Sequence, residues 1–380
     1  MTPSTPTVRR VTTPAGDPAW LVSSYPAVKQ LLNDPRLGRS HPDPDRAPRY
    51  TDAAIFGQPV GSPETERAEH AQMRALLTRS FSARRMEVLR PRVQELADEL
   101  IDELTRQTPP VDFHATVSFP LPVLVICQLL GVPFDDREDF RRWSDDAADM
   151  TDAHRSRAGW GQLFTYMLQL VGRKREHPAE DVISDLLAVQ AYSSALTDDG
   201  IAQLTAGLLF AGHETTVSAI DRGVVLLATN PAQRRALQAD PTLISSAVEE
   251  VLRHPDPVQP VDVPQAGGLP RYAHADIEVD GVTIAAGELV LLALHAANVD
   301  TSVFPRPQEF DVSRADNPHM TFGHGAHYCI GAPLARIELQ VVLGTLIERI
   351  PSLRLAVPVD QLRPKSHLLT GGLAELPVVW

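Results

Sequence analysis

One segment limits the fold more than any other, the run over residues 197–229. Thr197-Asp198-Asp199 offers a hydroxyl to cap free helix N–H groups and two acids for the first turn, where the helix dipole favours negative charge. No proline interrupts the run until Asn230-Pro231. At ~1.5 Å per residue, about thirty residues span a small domain. Its centre, Leu208-Leu209-Phe210, is apolar, so the helix should lie buried with other elements packed around it. Apolar residues make up 43% of the 380-residue chain, enough for such a core. The length allows two or three domains or one large one, and no internal repeat or low-complexity tract divides it.

Inside the apolar centre sits Ala211-Gly212-His213-Glu214-Thr215-Thr216. A mid-helix glycine costs roughly 1 kcal/mol relative to alanine, and a buried carboxylate costs more unless paired or protonated. His213-Glu214 begins like a zinc-protease helix, but the second histidine would have to be residue 217, which is Val217. Taken alone, the element reads as threonines bonding back to carbonyls one turn earlier, with Glu214 reaching solvent.

A second stretch, residues 321–336, carries the other unusual chemistry. Gly323 and Gly325 permit a tight turn or a positive φ. Cys329 follows, then Gly331, Pro333 and a helical run through Leu334, Ile337, Leu339, Val342 and Leu346. The thiol therefore sits at or just before a helix N-terminus, where free N–H groups and the dipole should lower its pKa. Such a thiolate can be a nucleophile, a redox centre or a metal ligand. A lone cysteine near an apolar helix is more often inert. His319, His324, His327 and Cys329 could also crowd a zinc ion, but they lack the paired spacing of a zinc site.

The spacing Phe322-x-x-Gly325-x-x-x-Cys329-x-Gly331 resembles the haem-binding loop of the cytochrome P-450 family, and the resemblance covers nearly the whole chain. It implies that Cys329 is the axial thiolate of a haem b iron, the ligand that favours O–O cleavage. It also implies that Phe322 packs beside the sulfur, that Gly323 and Gly331 belong to the cofactor-binding loop, and that His327 faces a propionate. The Ala211-Gly-x-acid-Thr element would cross the distal face of the cofactor, its loosened helical bonding leaving a groove for dioxygen and water. There Thr215 would hydrogen-bond dioxygen and Glu214 would relay protons.

The same resemblance supplies two clamps. His70 and Arg74, four residues apart on one helix face, match the family's His-x-x-x-Arg element, and Arg271 stands just before the first predicted strand of the β region. With His327 these give donors for two propionates. Glu250 and Arg253, at i and i+3, read alone as a surface pair of little energetic weight. The resemblance makes them a buried structural pair on the proximal side, with Arg314 as the third member.

Along the rest of the chain, the pattern predicts a strand at 19–22, a short helix at 27–32 and an irregular loop over 36–62. Helices are expected at 64–80, 83–105, 121–130, 136–149, 159–176 and 182–189. After Arg253, prolines at 255, 257, 260, 264 and 270 exclude long helices. Residues 277–284 alternate around Asp280-Gly281, a hairpin signal, and 289–293 reads as a strand. The chain is thus mainly α with a smaller β region, helix-rich over about 64–254 and mixed over about 255–380. The resemblance makes residues 1–380 a single large domain of the cytochrome P-450 fold.

A formal charge of −13 argues against nucleic acid and acidic lipid as partners. Two cysteines, Cys127 and Cys329, imply no disulfide framework, which fits a cytoplasmic protein. Residues 1–26 hold no apolar signal core, and Pro120, Pro122, Gln128, Gly131 and Pro133 interrupt the most lipid-like segment, so no membrane span is expected. No Gly-x-Gly-x-x-Gly fingerprint appears, so electrons must come from outside. The resemblance implies NAD(P)H as their source, a ferredoxin and its reductase as carriers, and a monomeric monooxygenase. That enzyme would hydroxylate or epoxidise an apolar polyketide, terpenoid or peptide intermediate of secondary metabolism, such as an antibiotic precursor. The substrate should be lined by 36–62, parts of 145–171, 208–211, 258–263 and 367–370. The rivals are a haem-thiolate isomerase or peroxygenase, against which Glu214-Thr215 argues, and a non-catalytic haem-binding protein.

Overall fold

A computed structural model gives the structure of residues 6–192, 196–258, 267–369 and 371–380. Its helices are α1 (Tyr25–Asn33), α2 (Glu66–Thr78), α3 (Ala83–Arg106), α4 (Pro120–Leu130), α5 (Arg137–Ala148) and α6 (Ala153–Glu176). They continue with α7 (Val182–Gln190), α8 (Asp198–Thr229), α9 (Pro231–Ala239), α10 (Ile244–Arg253), α11 (Leu294–Ala297) and α12 (Ala332–Arg349). A π-helical turn, His114–Ser118, leads into α4. Side-chain caps start the long helices: Ser82 accepts from Arg85 N, Asp152 from His154 N and Arg155 N, and Thr197 from Gly200 N.

The expected long helix, α8, is the axis of the helical part. It packs against α4, α6, α7, α10, α12 and the π-helical turn, while α12 packs in turn against α3. Between residues 204 and 228 only Ala211 and Thr215 are exposed. No helix among the described residues is long and apolar enough to cross a membrane.

The strands are β1 (Val8–Thr12), β2 (Pro18–Val22), β3 (Leu37–Gly38), β4 (Val111–Asp112), β5 (Leu269–Ala273), β6 (Ile277–Val279), β7 (Val282–Ile284), β8 (Leu289–Leu292), β9 (Arg354–Leu355) and β10 (Pro377–Val379). The main sheet has the order β1-β2-β8-β5-β3, antiparallel except where β2 runs parallel to β8 with Trp20 opposite Val290. A smaller sheet, β4-β10-β9, ties the C-terminus to the start of the π-helical turn. The predicted hairpin forms as β6-β7, with Ile277 opposite Ile284 and positive φ at Asp280 (47°) and Gly281 (76°), as a primed two-residue turn requires.

Several expectations need correction. α6 begins at Ala153, not 159, because Asp152 caps it. Gly159 is instead a point of close approach to α5, where a Cβ would lie 2.6 Å from Ala147 N. Pro231 ends α8 and also opens α9, its fixed φ and missing N–H suiting the first helical position. Arg271 lies inside a strand, β5, rather than before the first one, since Pro270 tolerates strand geometry while forbidding helix. The 36–62 loop is irregular as expected, apart from β3 and a 3-10 turn at Pro44–Arg46. β1 was not anticipated at all.

Candidate active site

The Cys329 loop is built from the backbone upward. Gly323 and Gly325 have φ of 73° and 70°, in the left-handed region. A Cβ at Gly325 would stand 2.5 Å from Asn33 Oδ1 and 3.1 Å from Leu32 O, so α1 packs directly on this glycine. Cys329 N donates to Phe322 O at 2.8 Å and closes the loop. Gly331, the N-cap residue of α12, would carry a Cβ 3.9 Å from Cys329 Sγ. The Phe322 ring lies under the Arg336 guanidinium, 4.6 Å from its carbon, and 6.2 Å from the Tyr328 ring.

Arg336 in turn is gripped by Glu249 of α10, Nε to Oε1 at 2.7 Å and Nη2 to Oε2 at 2.8 Å. His319 Nε2 lies 3.0 Å from the same carboxylate. Burial pushes Glu249 up, but the Arg336 and His319 hydrogen bonds overcome it and hold the carboxyl down at about 2.

Cys329 is open to solvent on one side and crowded by protein on the others. That desolvation pushes its thiol above the ordinary value. The N–H groups of Gly331 and Ala332 and the guanidiniums of Arg74 and Arg336 pull it down, by less. The helix-terminus argument thus named real stabilising groups and the wrong net sign, because it left out burial.

On α8, Thr215 Oγ1 donates to Ala211 O at 3.0 Å, the back-bonded geometry expected from the residues alone. The loosened bonding is not found: α8 is continuous α-helix from Asp198 to Thr229. Gly212 instead serves packing, since a Cβ there would meet Ile126 Cδ1 of α4 at 2.9 Å. Nor does Glu214 reach solvent. It is 4% exposed, and its Oε1 lies 3.0 Å from His213 Nε2.

A third group gathers positive charge. The His70 and His327 rings stack at 3.9 Å between centroids, tilted by 32°. Burial first, then His70 and Arg271, lowers His327 to about 4, and burial with Arg74 and Arg39 lowers His70. Arg271, 7% exposed, is pulled down to about 10 by burial and then by Arg39. Its Nη1 donates to Pro270 O at 2.7 Å, and Arg74 Nη1 donates to Tyr328 O at 2.9 Å. Among the described residues, no carboxylate lies within ion-pair distance of either guanidinium. Glu66, the acid that acts electrostatically on Arg271, is occupied by Arg39 N at 2.7 Å, Ser40 N at 3.0 Å and the Ser40 hydroxyl. Two guanidiniums short of counter-charge and two imidazoles able to donate N–H, beside a thiol at a helix start, fit the donor set that a haem with two propionates needs.

Glu250 and Arg253 are both 0% exposed and form a bidentate pair, Nε–Oε2 2.7 Å and Nη2–Oε1 2.8 Å. Arg314 Nε joins at 3.0 Å from Glu250 Oε2. No group of three or more His, Cys, Asp or Glu side chains among the described residues could hold a metal ion, and His319 and His327 have the other partners given above. Residues 259–263 and Thr370, expected at the substrate site, lie outside the described residues. Three participants carried no motif: Glu249, Glu66 and His213 as the partner of Glu214. Each is recognisable only once distant segments meet.

Comparison with known proteins shows the family. The family model for cytochrome P-450 matches residues 152–242 and 241–370. Pentalenolactone synthase of Streptomyces exfoliatus is 44% identical over 96% of this chain and 91% of its own. Mycinamicin IV hydroxylase/epoxidase of Micromonospora griseorubida is 42% identical over 98% of this chain and 92% of its own. The crystal structure of a polyene macrolide antibiotic pimaricin epoxidase superposes with a TM-score of 0.83 at 43% identity, covering 98% of this chain and 93% of that one. The chain therefore belongs to the cytochrome P-450 family, as a haem-dependent monooxygenase that takes dioxygen, an organic substrate and electrons from redox partners.

Proposed function

We propose that Cys329 would supply the thiolate ligand of a haem and that His70, Arg74, Arg271 and His327 would bind its propionates. Ala211, Phe322, Gly323 and Gly331 would form surfaces against it. One observation carries this reading: Arg74 and Arg271 converge with the His70–His327 stack without a carboxylate in ion-pair range among the described residues. A buried guanidinium such as that of Arg271, 7% exposed, calls for an anionic ligand. A thiolate-ligated haem supplies reductive activation of dioxygen and transfer of one oxygen atom to the substrate.

The chain's own residues manage position and protons. Thr215 Oγ1 donates to Ala211 O at 3.0 Å, and rotation about the hydroxyl or χ1 would free that hydrogen for dioxygen. Glu214, adjacent on α8 and buried beside His213, replaces the proton that Thr215 passes on. Glu250, Arg253 and Arg314 hold α10 to the segment that leads into the Cys329 loop.

The substrate is an apolar polyketide, terpenoid or peptide intermediate of secondary metabolism, hydroxylated or epoxidised. The names of the relatives, a pentalenolactone synthase and a mycinamicin hydroxylase/epoxidase, support that class. Electrons come from NAD(P)H through a ferredoxin and its reductase, to a monomer working in the cytoplasm. The test is the reduced, carbon-monoxide-bound absorption spectrum of the protein beside Cys329→Ser. A red-shifted Soret band lost in the variant is expected. A spectrum indifferent to Cys329 overturns the assignment.

A further inference from the structure

Glu214 can relay protons only if something returns one to it, and at 4% exposure it does not meet bulk water itself. Its neighbour His213 is 1% exposed. His213 Nδ1 lies 3.0 Å from Leu209 O, one turn back, and that carbonyl can only accept, which assigns a hydrogen to Nδ1. Nε2 lies 3.0 Å from Glu214 Oε1. With Nδ1 protonated, a neutral ring would set an electron-rich Nε2 3.0 Å from a carboxylate oxygen with no positive charge between them, a repulsive contact. An imidazolium sets positive charge beside the carboxylate instead. The oxygen sits off the N–H axis, so this hydrogen is not locked in a linear bond.

Charged groups of the π-helical turn, of α5 and of the segment around Lys365 act on the pair. The Phe119 ring stands edge-on to His213 at 6.1 Å and 89°, lies 6.4 Å from the His114 ring, and carries the Arg141 guanidinium at 4.7 Å. His114 Nδ1 is 2.7 Å from Asp221 Oδ2, both residues buried. Asp145 of α5 interacts electrostatically with Glu214, Lys365, Arg141 and His213. Glu214 interacts likewise with His213, Lys365 and His114. Asp145 Oδ1, Ser144 Oγ, Ser118 Oγ, His114 Nε2 and Asp221 Oδ1 are buried without hydrogen-bond partners. Buried polar atoms left without partners are the places where a protein commonly holds ordered water. Burial alone would keep His213 neutral, but Glu214 overcomes it and raises the imidazole, while His213 overcomes burial at Glu214 and lowers the carboxyl.

We propose that His213 is the proton donor to Glu214, a buried imidazolium held beside the acid and reloaded from the protein side of α8 rather than from its exposed stripe. This rests on the reading of Glu214 and Thr215 given above. In the transfer the Nε2–H bond breaks, its electron pair stays on nitrogen, and an Oε1–H bond forms on Glu214. A proton drawn from solvent restores Nε2–H, and no electrons change hands. His213 acts through Glu214, so it is a positioning and proton-supplying residue rather than one that touches substrate.

Carboxyl infrared difference spectra of the ferric protein, and 15N-histidine spectra of its ferrous carbon-monoxide form, read the pair without turnover. In His213→Gln, Glu214 should become protonated at neutral pH, giving a band that Glu214→Gln/His213→Gln lacks. In Glu214→Gln, His213 should lose its Nε2 proton. In turnover, His213→Gln should lower product formed per NAD(P)H by about tenfold, less than the 10²–10⁴ of direct general-acid loss, and the loss should deepen as pH rises. Unchanged Glu214 ionisation, or coupling equal to wild type, overturns the proposal. A pH-independent coupling loss with no new carboxyl band marks a packing defect and overturns it as well. His213→Asn serves where the Gln variant folds poorly, and the Glu214→Gln histidine spectra decide the matter if neither folds. Normal coupling in Glu214→Gln instead refutes the role of Glu214 itself, so the two failures are told apart.

Discussion

Replacing Glu250 by alanine tests the proximal clamp most directly. The carboxylate is 0% exposed and accepts from five donors: Arg253 Nε at 2.7 Å and Nη2 at 2.8 Å, Arg314 Nε at 3.0 Å, Asp311 N at 3.1 Å and Asn317 Nδ2 at 3.1 Å. Glu250→Ala leaves the fully buried Arg253 with backbone acceptors only, Asn298 O at 3.0 Å and Pro307 O at 2.9 Å among them. It also strips Arg314, whose side chain is 10% exposed. Removing one partner of a buried pair costs about 3–5 kcal/mol. For 380 residues the unfolding entropy is about 0.8 kcal/mol/K, so Tm should fall by about 4–6 °C. Scanning calorimetry at one fixed rate, with haem content measured alongside, is the assay. Glu250→Gln keeps volume and one acceptor oxygen and should lose less. A Tm within about 1 °C of wild type and full haem loading in Glu250→Ala would refute the buried-clamp reasoning, because an uncompensated guanidinium at zero exposure cannot be that cheap.

Three further outcomes are expected. Thr215→Ala should load haem and bind carbon monoxide normally while electrons leak to peroxide, measured as peroxide per NAD(P)H; tight coupling would remove Thr215 from proton delivery. Gly325→Ala puts a methyl 2.5 Å from Asn33 Oδ1 and 3.1 Å from Leu32 O at a φ of 70°, so haem occupancy should drop. Asn33→Ala should restore it only in part, since ~1–2 kcal/mol of backbone strain remains. Glu249 is held down from 4.5 to about 2, so its contribution to stability is present above the unfolded value and is lost as pH falls through about 2. Glu249→Gln should therefore cost at most about 3 kcal/mol at neutral pH, and denaturant titrations of the two proteins should converge between pH 4.5 and about 2.

What could be read in advance was set by range along the chain. α8, α3 and the β6–β7 hairpin each follow from their own residues: an N-cap and an apolar centre, leucines at helical steps, and an Asp-Gly pair between alternating positions. The Cys329 loop was legible for the same reason, since Gly323, Gly325, Cys329 and Gly331 fall within nine residues. β1 and β5 were not, because a strand whose pairing partner is far away carries little local signal. Val8 finds Val22 nearby, but the sheet is completed only by Val290 opposite both Trp20 and Arg271. Pro270 and Arg271 look like loop until that pairing exists. Charge was misjudged for a related reason. The pKa of Cys329 and the solvent access of Glu214 depend on what packs over them, and spacing along the chain gives no account of burial.

The order His213-Glu214-Thr215 acquires a reason from helix geometry. Successive residues step about 100° around an α-helix, so these three lead from the buried back of α8 to its one exposed stripe. Ala211 and Thr215, four apart, define that open stripe, while His213 and Glu214 are buried, with Phe119, at the join of the π-helical turn and α4, edge-on to His213. Were the acid alone present, its proton would have to come through the open side, past whatever substrate lies over Thr215. With His213 behind it, supply comes from the protein side, and a large apolar substrate can fill the open side without cutting it off. Coupling in the wild type should then be insensitive to substrate bulk, whereas in His213→Gln it should worsen as the substrate grows. A homologous series of increasing size, measured as product per NAD(P)H in both proteins, decides it: parallel lines would mean that protons enter from the substrate side after all.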